Sequence, residues 1–228
     1  DYNSAKYIIM PHLNKKGINR LDGVFLSHPH ADHIGGILEI INSIPVDTIY
    51  NSGTDYDSQL FKTYNKKAIE YNIPIKPLKA GDKISIDPAI QIFVYGPEES
   101  VSQSNINNRS LVLELIYGDT EFLVMGDAEH TQEENLLTHY PKMMDTDFLK
   151  VGHHGSKTSS SSSLLKSTSP QIGVVSLAKH NRFGHPHSQA YKQLHKHIPS
   201  LYFTSLEGAL QFYSDGKAIY GHQVRSEP

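Results

Sequence analysis

Fourteen of the 228 residues are histidine, and eight of the fourteen fall in three short places. Imidazole is a nitrogen donor to zinc, iron or manganese and titrates near neutral pH, so clustered histidines point to metal binding or proton transfer. The first place is His28-Pro29-His30-Ala31-Asp32-His33, directly after an apolar strand expected over 23–26. Residues two apart share one side of an extended chain, so His28 and His30 can grip one cation. Asp32 and His33 then turn away and can hold a second. Four ligand-type residues in six positions, ahead of Gly35-Gly36, are more than a polar loop requires.

A carboxylate joins them at another strand end. Asp127, in Met125-Gly126-Asp127-Ala128-Glu129, follows the apolar run Phe122 to Val124 and is placed to bridge two cations. Glu129 reads as a charge at a helix start rather than a ligand. In Val151-Gly152-His153-His154-Gly155, one histidine is expected to complete the second metal, with His154 favoured. The other would touch substrate or pack beneath the site. In the stretch from His180 to His187, His185 and His187 are candidates to contact a scissile phosphate or protonate a leaving oxygen. The alternative there is a turn and helix start capped by Ser188. Asp32, His185 and His187 make up the expected catalytic set.

The elements that must hold these groups alternate along the chain. Helices are expected over 4–17 (interrupted by Pro11), 34–43, 58–71, 129–138, 161–167 and 188–197. Strands are expected over 23–26, 47–50, 83–87, 91–95, 110–117, 121–125, 147–151, 172–177, 201–204 and 209–213. Gly118-Asp119 marks a hairpin turn. This interleaving favours a layered α/β (α+β) sandwich over an all-β or helical-bundle fold.

Composition sets limits on function. Zero cysteines exclude a disulfide partner, zinc ribbons, iron–sulfur clusters and thiol nucleophiles. With 21 Lys+Arg against 24 Asp+Glu, the net charge of −3 speaks against a basic sleeve that grips nucleic acid by phosphate neutralisation alone. No apolar run approaches the roughly 18 residues of a membrane span.

Taken together, HxHxDH at 28–33, Asp127 and the His153/His154 pair resemble the ligand motifs of the metallo-β-lactamase superfamily of dinuclear hydrolases. SHPHADHIGG at 27–36, NNRSLVLEL at 107–115, GDAE at 126–129, VGHHGSKTS at 151–159 and NRFGHPH at 181–187 narrow the likeness. They look like the soluble hydrolase domain of ComEC-type DNA-uptake channels, a branch that also contains free-standing secreted hydrolases. The resemblance implies a four-layer αββα sandwich, one hydrolase domain over 1–228, and two divalent cations (Zn2+ or Mn2+) at an edge between the sheets. The family's usual opening, a strand pair ending in an Asp-Gly-Gly-like turn, is missing, and nothing before Tyr7 resembles a signal peptide. The chain is therefore expected to be N-terminally incomplete and excised from a longer protein.

Many members also supply a third histidine to the first metal, just before the strand leading into GD. Here Asn105 to Ser110 contains none. The first metal is then expected to have His28, His30, shared Asp127 and water, which weakens zinc preference and admits manganese beside it. Asn107, Asn108 or Arg109 would instead contact substrate or orient a ligand. Asn108, Ser110, Lys157 and Arg182 form the expected substrate-contact set. Ser156 and Ser159 to Ser163 open a helix whose amides can hold phosphate, or else form a solvated loop.

The implied activity is a metal-dependent phosphodiesterase acting on DNA, degrading one strand during uptake in natural transformation. Its implied partners are DNA and a membrane channel portion of the same polypeptide, with the domain extracytoplasmic or, alternatively, secreted. Two rival readings are hydrolysis of another ester (phosphorylcholine or a lactone) and a domain that guides DNA without cutting it. Two bound divalent cations would move the formal charge from −3 to +1, concentrated at the site, so a polyanionic substrate needs no basic surface.

Overall fold

A computed structural model describes residues 3–102, 104–141 and 145–224. The chain enters through a π-helical turn (Ala5–Ile9) that continues into α1 (Met10–Lys15). Pro11 lies in the first turn of α1 and has no N–H to give the preceding turn. The expected interruption takes that form.

A small parallel sheet follows, in the order β1 (Val24–Leu26), β2 (Ile49–Asn51), β3 (Ile75–Pro77). Its crossovers are α2 (Ala31–Ile34), α3 (Ile37–Ser43) and α4 (Gln59–Glu70). The single helix expected over 34–43 is split at Gly35-Gly36. A Cβ on Gly36 would lie 2.8 Å from that of Ala5, so the glycine lets the N-terminal turn pack close. Strand β3 is not anticipated from sequence: it is three residues long and carries Pro77, which an edge strand tolerates.

The larger sheet has seven strands: β4 (Lys83–Asp87), β5 (Ile90–Gly96), β6 (Val112–Tyr117), β7 (Thr120–Val124), β8 (Phe148–Lys150), β9 (Ile172–Val175) and β10 (Ser200–Phe203). They lie side by side in chain order. Strands β4 to β7 form an antiparallel meander, and β7 to β10 run parallel. The parallel part needs crossovers, supplied in part by α5 (His130–His139), α6 (Ser162–Thr168) and α7 (Ser188–His197). A short α8 (Thr204–Glu207) leads to the hairpin β11 (Ala209–Ser214) and β12 (Ile219–Val224).

Period-two alternation sorts the strand side chains into layers. Ile92 and Val94 of β5 and Leu113 of β6 meet Tyr50 and Leu78 between the sheets. Their neighbours Tyr95 and Val112 face the other way, with Leu123, Leu149 and Val175, onto Leu136, Leu164, Leu165 and Leu194 of the helices. On the far side, Ile37, Ile40, Ile41, Tyr64 and Ala68 cover Leu26 and Ile49. Helices, sheet, sheet and helices therefore stack as the four expected layers.

One polar residue interrupts the helix-facing layer. Glu114 is 2% exposed and accepts a hydrogen bond from the Tyr95 hydroxyl at 2.6 Å. Burial raises its carboxyl to about 7 despite that bond. A carboxyl raised in the folded state binds its proton more tightly than in the unfolded chain. Stability is therefore lost as pH rises from the ordinary value of 4.5 through 7. Glu114→Gln, which keeps an acceptor for Tyr95, is expected to be more stable than the parent by about 2 kcal/mol at pH 7 and nearly equal at pH 4. Thermal melts at the two pH values check this; a pH-independent difference would contradict it.

Candidate metal centre

The C-terminal ends of β1, β7, β8 and β9 open on one edge, the usual place for a site in a sheet with parallel strands. Residues 27–33 follow β1, Asp127 follows β7, His153 and His154 follow β8, and the 181–187 loop follows β9. A backbone bond from Leu111 N–H to Ser27 O, 2.8 Å, ties the two sheets together there. His30, Ala31, Asp32, Asn107, Asp127, His153, His154, Arg182, Phe183 and His185 line an open cleft of about 380 Å³.

Asp127 is the centre of the arrangement, and its two oxygens face different groups. Oδ2 lies 3.8 Å from His28 Nε2 and 3.8 Å from His153 Nε2. His30 Nδ1 sits 3.0 Å from that same His28 nitrogen. Oδ1 lies 3.2 Å from His33 Nε2 and 3.6 Å from His154 Nε2. The Asp32 carboxylate is 3.5 Å from His154 and 3.7 Å from His33. His28, His33 and Asp127 make one compact group of potential ligand atoms, and Asp32, His33 and His154 make another.

Four of the five rings, all but His30, are held by the outer nitrogen. His28 Nδ1 meets Ser27 Oγ and Ser110 Oγ, both at 3.2 Å, and His33 Nδ1 meets Ser27 Oγ at 3.0 Å. His154 Nδ1 donates to Ser176 O at 2.6 Å, and His153 Nδ1 lies 3.2 Å from Glu129 Oε1. Fixing Nδ1 leaves Nε2 aimed inward, as in metal-binding histidines whose outer nitrogen is held by an oxygen. Backbone geometry contributes too. His153 (φ 45°) and His154 (φ 52°) are consecutive left-handed residues, which brings both rings to the site at a cost of roughly 1–2 kcal/mol each.

The donor set fits cations. His33 Nε2, His154 Nε2 and Asp127 Oδ1 are buried without a well-formed hydrogen bond. Leaving buried polar atoms in that state costs roughly 1–3 kcal/mol each. A cation between them would satisfy all three.

Charge states agree with this. Burial raises the Asp127 carboxyl, but the neighbouring rings, His33 first and then His154, outweigh it and hold it well below its ordinary value. The adjoining His154 ring, 3.5 Å away, takes Asp32 down to about 2. Burial and the neighbouring His33 lower His28 to about 3, so its ring is neutral and its lone pair free. Burial lowers Lys150 to about 8, against the attraction of Asp127.

Several expected substrate contacts have other roles. Asn108 is buried, and its Oδ1 accepts the Glu129 N–H at 2.9 Å. Ser110 is fully buried, orienting His28 and accepting the Asp127 N–H at 3.0 Å. Neither can reach substrate. Arg109 is also buried and bonds Thr54 and the carbonyls of Glu98 and Val101. Two amides of the serine run, those of Ser160 and Ser161, are not open to phosphate, because they donate to buried Glu133. His187 is tied down as well: its Nδ1 accepts the Lys157 N–H at 3.0 Å, and the ring is not part of the cleft wall. Lys157 is exposed beside it, outside the cleft. Arg182 and His185 do line the cleft. Burial and the adjacent His153, His187 and His154 lower His185 to about 4, so it faces the cleft as a neutral ring.

Glu129 and Ser27 are the residues that sequence reasoning missed. Glu129 accepts from Asn105 (2.8 Å), Thr158 (2.8 Å) and Asn107 (3.5 Å) while facing His153. The histidine-free segment 105–110 therefore positions ligands through Ser110 and through Glu129. The available signal was the placement of Glu129 at the same strand end, two residues after Asp127.

The chain is similar to known proteins over most of its length. The chain is 29% identical over 211 residues to ComE operon protein 3 of Bacillus subtilis, covering 92% of this chain and 27% of that protein. It is 30% identical over 209 residues to competence protein ComA of Neisseria gonorrhoeae, covering 92% and 28%. The chain thus spans about a quarter of the length of these relatives. Among solved structures, CmlA, a diiron β-hydroxylase from Streptomyces venezuelae, superposes with a TM-score of 0.55 at 10% identity, covering 90% of this chain and 45% of that one. That likeness concerns the fold alone. Residues 3–180 match the Metallo-beta-lactamase superfamily. With the layered fold and the HxHxDH, Asp127 and His153/His154 groups at one sheet edge, the chain belongs to the metallo-β-lactamase superfamily.

Proposed function

We propose that the chain is a dinuclear metal-dependent phosphodiesterase that cleaves DNA. The observation that carries this reading is the division of donors around Asp127. His28 Nε2, His30 Nδ1 and His153 Nε2 would hold one cation with Oδ2, and Asp32, His33 Nε2 and His154 Nε2 would hold the other with Oδ1. His153 takes the place of the third histidine missing from 105–110. With three histidine nitrogens against two, the first site is then richer in nitrogen than the second, and the sequence-based reason for a weakened zinc preference falls away. Bound there, divalent cations would acidify a water and offset charge building on phosphate oxygens.

The protein groups supply the rest. Asp32 and Asp127 stay ionised, holding negative charge where cations and substrate meet. Glu129 and Ser110 keep the rings in register. Neutral His185 faces the cleft as a hydrogen-bond partner for the diester, and Arg182 offers it positive charge at the rim. DNA as substrate is supported by the competence proteins among the relatives. An extracytoplasmic domain of a longer DNA-uptake protein is the setting that those names favour.

Glu129→Gln is expected to weaken cation binding on the His153 side by roughly 10- to 100-fold, the usual scale for a group that orients a ligand. Competition with a chelating dye reads the affinity, and circular dichroism should be unchanged. Unaltered affinity would contradict the role of Glu129. For the reaction itself, a nucleotide diester, a phosphorylcholine ester and a lactone should be compared with the metal-loaded chain. Selective turnover of the nucleotide diester supports the proposal; turnover of either rival alone overturns it.

A further inference from the structure

Phe183 is 59% exposed, and it is the exposed aromatic ring, among the described residues, that lines the metal cleft. Its loop is built to present it. Asn181 brackets the loop by accepting the His185 N–H and donating to His185 O, both at 2.8 Å. Gly184, with φ 71°, supplies the turn between them, and nothing packs within 4 Å of a Cβ placed there. The tip, Arg182-Phe183-Gly184, is exposed.

The ring is also aligned with the site. Phe183 lies 5.7 Å from His185 with planes 23° apart, and His185 lies 6.3 Å from His154 with planes 22° apart. Three nearly parallel rings therefore step from solvent down to a ligand of the centre. The Arg182 guanidinium sits 4.8 Å from the Phe183 ring, placing a cation at the top of the ramp. A large apolar ring left in water is unremarkable by itself. One held beside an arginine and within 23° of the plane of a cleft histidine matches what unpaired nucleic acid requires: an aromatic surface for a base and positive charge for its backbone.

Resting on the phosphodiesterase reading, we infer that Phe183 is a stacking platform for an unpaired base next to the phosphate at the metal centre, and that it makes the site selective for single-stranded over duplex DNA. Bases in a duplex are stacked on each other and present only their edges, so the platform has nothing to engage there. Stacking on an aromatic ring is tolerant of sequence, and little base preference is expected.

The test is binding and turnover of a fluorescein-labelled single-stranded oligonucleotide by the metal-loaded chain, for the parent, Phe183→Ala, Phe183→Leu and Phe183→Trp. Alanine and leucine should each weaken binding by roughly 10-fold, tryptophan should restore it, and duplex binding should change little. Loss at Phe183→Ala should shrink when the oligonucleotide carries abasic sites. Hydrolysis of base-free methyl 4-nitrophenyl phosphate should stay within about two-fold of the parent. Equal single-strand binding by parent and alanine variant overturns the inference, and so does an equal loss on the base-free diester. If the parent binds single strands through Phe183 but cuts no DNA, the nuclease reading fails while the platform stands.

Discussion

Asp127→Asn is expected to lower DNA hydrolysis by at least about 1000-fold, equivalent to ~4 kcal/mol of lost transition-state stabilisation. Asparagine has the same shape, so the loss isolates the charge. In the parent, both carboxylate oxygens face histidine nitrogens, and the carboxyl is held below its ordinary value. It is ionised at any working pH. The amide would leave one donor oxygen and a nitrogen turned toward cations, so the two sites lose their common ligand together. Bound metal, measured by elemental analysis after gel filtration, should fall from two per chain to one or fewer. A variant that keeps two metals and activity within 10-fold of the parent would contradict the bridging role.

Gly126→Ala is the expected second-largest effect, and it acts through the fold. Gly126 has φ 55°, and a Cβ there would lie 2.8 Å from Ser110 Cβ and 3.0 Å from Ser27 Cβ. Those serines hold the outer nitrogens of His28 and His33, so there is no flexible side chain to yield. Left-handed strain of roughly 1–2 kcal/mol adds to overpacking of a similar size. A destabilisation of about 3 kcal/mol follows, or a melting temperature lower by roughly 6–12 °C for a chain of this size. Because Gly126 O also accepts the His153 N–H at 3.1 Å, cation binding should weaken along with stability. A Gly126→Ala protein that melts with the parent would show that the serine shelf is more yielding than its packing implies.

Much of the candidate site was legible because potential metal ligands are a matter of residue type and spacing. The HxHxDH run, Asp127 and the His153/His154 pair each follow an apolar strand, and parallel strands bring their ends to one edge. The fold class was legible for the same reason: alternation in β5 and β6, and helical spacing in α4 and α7, are strong periodic signals. What sequence could not separate was exposure. Asn108, Ser110 and Arg109 are polar residues in a loop near the site, the same description that fits a substrate contact. Distant parts of the chain bury them: Glu129 meets Asn108, His28 and Asp127 meet Ser110, and Thr54, Glu98 and Val101 enclose Arg109. The Ser160 and Ser161 amides escaped for a similar reason, since Glu133 lies a whole loop away. The role of His153 depended on two left-handed residues in succession, which no spacing rule anticipates for histidine.

The proposed reaction, phosphodiester cleavage in DNA driven by two cations gathered around Asp127, sets the decisive experiment. It is tested most directly by titrating the metal-depleted chain with Mn2+ or Zn2+ while following cleavage of a labelled single-stranded oligonucleotide. No cleavage is expected without metal, and the rate should saturate as the second equivalent binds. Cleavage indifferent to metal, or two tightly bound equivalents with no cleavage by either metal, would contradict the proposed reaction.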